Sequence, residues 1–125
     1  MTDSPRPLSP HLQVYRLPLT GLISISHRIT GVLLLVGIIY TLLLLLSIAM
    51  GEAAYLALQG LMQTNLAKLF WLGFVFALMF HTCHGIRHLI WECGHSFERQ
   101  ELQRYALIEL AASLVLTLVY WFFAR

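Results

Sequence analysis

Charge is scarce in this sequence. Eight Lys or Arg and six Asp or Glu make 11% of its 125 residues, against about 25% in an ordinary soluble domain. That scarcity excludes a soluble globule kept in water by ionic side chains. With a formal net charge of only +2, and no basic run or aromatic-interleaved basic patch, it also excludes a nucleic-acid binder. Cysteine is nearly absent. Cys83 and Cys93, ten residues apart on one helix, would stand roughly 15 Å apart, beyond the roughly 7 Å a disulfide spans. They carry no sign of an oxidising compartment and read as small apolar helix residues. Proline is missing after residue 18, so nothing beyond Pro18 need break a helix. There is no Gly-rich dinucleotide loop. A secretory signal and an Arg- and Ser-rich transit peptide are also lacking, which leads us to expect a bacterial chain or an already processed one.

What is abundant is apolar. Hydrophobic residues make 58% of the chain, with a mean hydropathy of +0.74. They predict an all-α membrane protein with three transmembrane helices, at about residues 23–50, 66–91 and 106–124. Ile29–Met50 alone is 22 residues without a charge, enough for a hydrocarbon core of about 30 Å. Residues 1–22, holding Pro5, Pro7, Pro10 and Pro18, read as a cytoplasmic or interfacial segment preceding a transmembrane domain at 23–125. Residues 51–65 form a connection whose scattered leucines allow a short interfacial helix, and residues 92–105 read as an aqueous loop. Glu109 interrupts the third span near its start, and Trp121, Phe122 and Phe123 suit an aromatic belt. Arg6, Arg16, Arg28, Arg87, Arg99 and Arg104 gather on one side, leaving Lys68 and Arg125 for the other. The positive-inside rule then puts the N-terminus in the cytoplasm or matrix.

Polar residues inside these spans carry the chemistry. On the second span, His81, His84, His88, Glu92 and His95 fall in one stripe at about 100° per residue, with Gly85 among them. Such a stripe is expensive in lipid and calls for something to face it. His81 lies about 15 Å from Trp91 at the interface, near mid-membrane. A neutral imidazole there suits haem iron, and Gly85 would admit a porphyrin edge. His27, Arg28 and Arg87 would meet the propionates. Zinc suits the pattern less, because three histidines would need a further carboxylate or thiolate. A histidine hydrogen-bonding across a helix bundle is the plainer alternative. On the first span, Ser24 and Arg28 are one turn apart and can address one ligand, although a capping serine and a snorkelling arginine account for the same residues. Two histidines of the second span cannot both ligate one haem, since axial ligands approach from opposite faces.

Two stretches carry a resemblance. Arg6-Pro7-Leu8-Ser9-Pro10-His11-Leu12-Gln13-Val14-Tyr15 followed by Ser24-Ile25-Ser26-His27-Arg28-Ile29-Thr30-Gly31, and then His81-x-x-x-Gly85-Ile86-Arg87-His88-Leu89-x-Trp91, resemble the two signatures of the cytochrome b large membrane-anchor subunit of succinate dehydrogenase (complex II). The resemblance covers nearly the whole chain. It implies a heterodimeric helix bundle in a bacterial inner membrane, the mitochondrial inner membrane being the alternative. It implies one haem b, with His81 as an axial ligand (His84 as the alternative) and the other ligand from a small anchor subunit. His27, Arg28, Arg87 and His88 would lie around the haem. Ser24 would bond a ubiquinone carbonyl, and Arg28 would stabilise negative charge developing on the quinone oxygen. The implied partners are the small anchor subunit, an iron–sulfur subunit, a flavoprotein subunit and membrane lipid. In that setting the chain is an enzyme subunit with no catalytic residue of its own for succinate. A haem-free structural anchor and a fumarate reductase anchor are the alternatives. Two positions depart from the pattern: the family usually has Asp where this chain has Glu92, and His84 occupies a position that the motif leaves free.

Overall fold

A computed structural model of the chain describes residues 16–95 and 98–124. The first fifteen residues, including Arg6–Tyr15 of the N-terminal signature, lie outside the described residues. Helix α1 is Leu19–Ala49, α2 is Glu52–Met62, α3 is Asn65–Glu92 and α4 is Arg99–Phe123. Three are long and apolar enough to cross a membrane: Leu19–Ala49, Asn65–Glu92 and Gln100–Phe123. At 1.5 Å per residue, α1 is about 46 Å long.

Each boundary has a local cause. Pro18 presets its φ to −66°, and its carbonyl accepts the N–H groups of Gly21 and Leu22 at 2.9 and 3.1 Å. Leu19–Leu22, expected in the surface segment, therefore already belong to α1. Gly51, at φ +101°, turns the chain in a region that glycine alone visits cheaply, and α2 starts at once. At α3 the Thr64 hydroxyl caps the helix, accepting the Ala67 N–H at 3.3 Å. The helix closes in a Schellman motif, with Gly94 at φ +81°, Gly94 N–H on the Trp91 carbonyl at 2.8 Å and His95 N–H on the Ile90 carbonyl at 3.4 Å. The loop expected at 92–105 is shorter, running only between the end of α3 at Glu92 and the start of α4 at Arg99. Gln100-Glu101-Leu102-Gln103-Arg104 are all good helix formers, so α4 begins at Arg99, about two turns before the span expected at 106–124.

The interior is more polar than the exterior. The buried apolar residues are Ile23, Val75, Ala77, Phe80 and Ala106, whereas Thr30, Ser47, His84, Arg87, Glu109, Ser113 and Thr117 are buried and polar. Leucine, isoleucine, valine and phenylalanine line the outside instead. This is the arrangement expected where lipid solvates the apolar face and helix contacts are made by small and polar groups. Helix α3 packs against both α1 and α4, and α2 buries no residue. Gly37 lets α1 approach α3, because a Cβ there would run into the Phe74 ring. At the end of the bundle formed by the α3 N-terminus and the α4 C-terminus, Trp71 Nε1 donates to Tyr120 Oη at 2.7 Å. His27, Thr30, His81, His84, Arg87 and Glu109 collect toward the other end, while Ser47 and Thr117 lie nearer this one.

Candidate functional site

His81 projects from α3 against the first third of α1. Its Nδ1 lies 3.2 Å from the His27 carbonyl oxygen and 3.2 Å from Thr30 Oγ1. The Thr30 hydroxyl donates to that same carbonyl at 2.9 Å, so toward His81 it offers only a lone pair. Both neighbours accept, which assigns the hydrogen of His81 to Nδ1 and leaves Nε2 with its lone pair. The His27 ring stacks on His81, with centroids 3.9 Å apart and planes 16° apart. A Cβ at Gly31 would sit 3.2 Å from His81 Cε1, so the glycine makes room for the imidazole. His27 Nδ1 is buried and has no hydrogen-bond partner among the described residues.

A second group lies between α3 and α4. His84 is 2% exposed, and its Nδ1 is 3.2 and 3.1 Å from the two carboxylate oxygens of Glu109. Arg87 Nη1 donates to Glu109 Oε1 at 3.1 Å and Nη2 to the Leu102 carbonyl at 2.7 Å, while its guanidinium lies 4.6 Å from the Trp91 ring centroid. Arginine and glutamate cancel each other's charge, and His84, donating from Nδ1, completes the carboxylate's hydrogen bonding. Glu109 was visible in the sequence only as an interruption of the third span. A buried carboxylate in a spanning helix demands a partner, and that demand is the signal for a residue that lies outside the histidine stripe.

The structure divides the expected stripe. His84 and His88 touch edge to face at 4.9 Å, and both touch His27, at 4.6 and 5.7 Å. His88 also meets Trp91 at 5.0 Å and is exposed. Glu92 is the exposed last residue of α3, and His95 lies past the helix end. Ser24 is half-buried, and Arg28 is exposed with no ion pair among the described residues. Arg87, expected at the propionates, commits both terminal nitrogens to α4 and the Leu102 carbonyl, leaving Nε without a partner among the described residues. No three His, Cys, Asp or Glu side chains among the described residues converge on a metal position, so the imidazoles do not form a zinc-type cage.

Residues 2–120 match the succinate dehydrogenase/fumarate reductase transmembrane subunit family. The chain belongs to that family. It is 36% identical over 114 residues to the succinate dehydrogenase cytochrome b556 subunit of Paracoccus denitrificans, covering 91% of this chain and 88% of the relative. The b560 subunit of Reclinomonas americana is 32% identical over 121 residues, 93% of this chain and 84% of its own. The mitochondrial b560 subunit of Sus scrofa is 36% identical over 114 residues, 90% of this chain and 68% of its own. As a transmembrane subunit of the succinate dehydrogenase type, the chain is part of an enzyme complex. The polar end of its bundle is where family membership and geometry meet.

Proposed function

We propose that this large cytochrome b anchor subunit of succinate dehydrogenase holds haem b through His81 and forms part of a ubiquinone site with Ser24 and Arg28. The observation that carries the haem reading is the hydrogen-bonding state of His81. With Nδ1–H turned to the His27 carbonyl and Thr30, Nε2 keeps the basic lone pair that a metal ligand needs, and a carbonyl on the opposite nitrogen is the usual companion of such a ligand. His84 fits less well. It is 2% exposed and enclosed by Glu109, Phe80 and Trp91, so no porphyrin reaches it without dismantling the α3–α4 contact. A Cβ at Gly85 would meet nothing within 4 Å, so space remains beside this helix for a group or chain from outside. Haem supplies a one-electron redox centre when bound.

The residues of this chain then divide the work. His81 would hold the haem iron through Nε2 from this chain, with a further ligand from the small anchor subunit. His27, Arg28 and His88, on the same end of the bundle, would meet the propionates, whereas Arg87 is buried with both terminal nitrogens committed to α4 and stands back from them. Ser24 donates a hydrogen bond to a quinone carbonyl, and Arg28, one turn on and free of internal ion pairs among the described residues, stabilises negative charge as quinone is reduced. The N-terminus and the α3–α4 connection face the cytoplasm of a bacterial inner membrane, where the iron–sulfur and flavoprotein subunits dock.

The test is an optical spectrum of the purified complex. The reducible b-type band is expected to vanish or weaken in His81→Ala and to survive in His84→Asn. Survival in His81→Ala removes His81 as ligand, and absence of the band in the wild type leaves a haem-free structural anchor. For the quinone site, Ser24→Ala and Arg28→Leu are expected to lose quinone reduction by at least tenfold while succinate oxidation with an artificial acceptor continues. Normal quinone reduction in both variants would refute the assignment.

A further inference from the structure

Glu109 and His84 have no part in the reading above, yet they are among the most deeply buried polar residues described. His84 is the hub of the polar end. Its Nδ1 faces both oxygens of Glu109, and its ring contacts His27 at 4.6 Å, His88 at 4.9 Å, Trp91 at 6.1 Å and Phe80 at 6.2 Å. Rotation of an imidazole about its second side-chain torsion is soft, so the hydrogen bond at Nδ1 decides which edge the ring presents. Glu109, held in turn by Arg87, makes that decision from α4.

His27 depends on the result. Its Nδ1 has no partner among the described residues, so contact rather than a hydrogen bond from that nitrogen orients the ring. The neighbours that hold it are His81, stacked at 3.9 Å, and His84, tilted at 4.6 Å. A continuous line therefore runs from the α4 carboxylate through two imidazoles to the residue assigned to the iron. We propose that Glu109 is a positioning residue of the haem site, acting through His84 to fix the His27 ring against His81. The proposal rests on the reading of His81 as ligand.

The experiment compares assembled wild-type complex with Glu109→Gln, His84→Asn, the double variant and Thr117→Ala. The last removes another buried polar group of α4, whose hydroxyl bonds the Ser113 carbonyl. Haem content per complex, the position of the reduced α-band and the low-spin electron paramagnetic resonance g-values are measured. Glu109→Gln and His84→Asn are expected to retain haem with a displaced band and g-values, and the double variant to show no more displacement than the larger single one. Thr117→Ala is expected to match the wild type. An unchanged signature in Glu109→Gln overturns the proposal. So does a Glu109→Gln displacement that persists in full on the His84→Asn background, since the carboxylate would then act by its charge alone. If Glu109→Gln fails to accumulate, His84→Asn carries the test, because its amide still offers Glu109 a donor; an unchanged signature there overturns the proposal. Absence of haem from the wild type would defeat the reading of His81 instead.

Discussion

At the scale of single residues, burial and partnership decide the cost of change. Glu109 neutralises Arg87 and accepts from His84, all three nearly inaccessible. Removing one partner of such a pair costs about 3–5 kcal/mol, because the remaining charge stays buried. Glu109→Ala is therefore expected to lower the temperature at which the detergent-solubilised complex loses its native absorbance. Pairing it with Arg87→Met should recover part of the loss, which thermal melts of both singles and the double will show. Thr30→Val, which removes a hydroxyl bonded to the His27 carbonyl, is expected to cost only about 1 kcal/mol in the same melt. His81, Ser24 and Arg28 were legible as candidates because each is a polar residue at helical spacing inside an apolar run. The place of His84 was not legible. Its partner is twenty-five positions away on another helix, and a one-helix stripe carries no information about which neighbour a residue faces.

At the scale of elements, the spans were readable from hydropathy and the joints from capping chemistry, with one failure. The polar character of residues 92–105 hid the start of α4, since a helix that begins in water carries charged residues without ceasing to be a helix. Close approach of α1 to α3 rests on Gly37 beneath the Phe74 ring. Gly37→Ala is expected to destabilise the bundle by about 1–3 kcal/mol through overpacking. Phe74→Ala, damaging by itself, should relieve that clash in the double variant, and a melt that shows simple addition would contradict this packing. At the close of α3, Gly94→Ala places a side chain at φ +81° and is expected to cost roughly 1–2 kcal/mol.

At the scale of the whole molecule, the division between a polar end and an aromatic end defines a direction across the bilayer. On the proposed topology, with the polar end in the cytoplasm, α2 lies at the opposite face, and Glu52 on it is exposed. Glu52→Cys in intact cells is expected to react with a membrane-impermeant maleimide added outside, while Cys93, exposed at the end of α3, stays unlabelled until the cells are opened. Labelling in the reverse order would invert the topology. Overall architecture was the part most open to sequence reasoning, because lipid imposes length and apolarity on every span. The pairing of α3 with α4 was the least open, because it depends on buried contacts between residues far apart in the chain.

The carboxylate of Glu109 also bears on how the protein is made. A charged side chain in a spanning helix is costly to insert, up to roughly 2.5–3.5 kcal/mol at the centre on insertion scales, and α4 must enter the bilayer carrying Glu109 near the start of its apolar stretch. The ribosome delivers α3 first, so His84 and Arg87 are already in place when α4 leaves the exit tunnel. Order of synthesis thus supplies the counter-charge before the charge, and α4 separated from the chain would be a poor substrate for the insertion machinery.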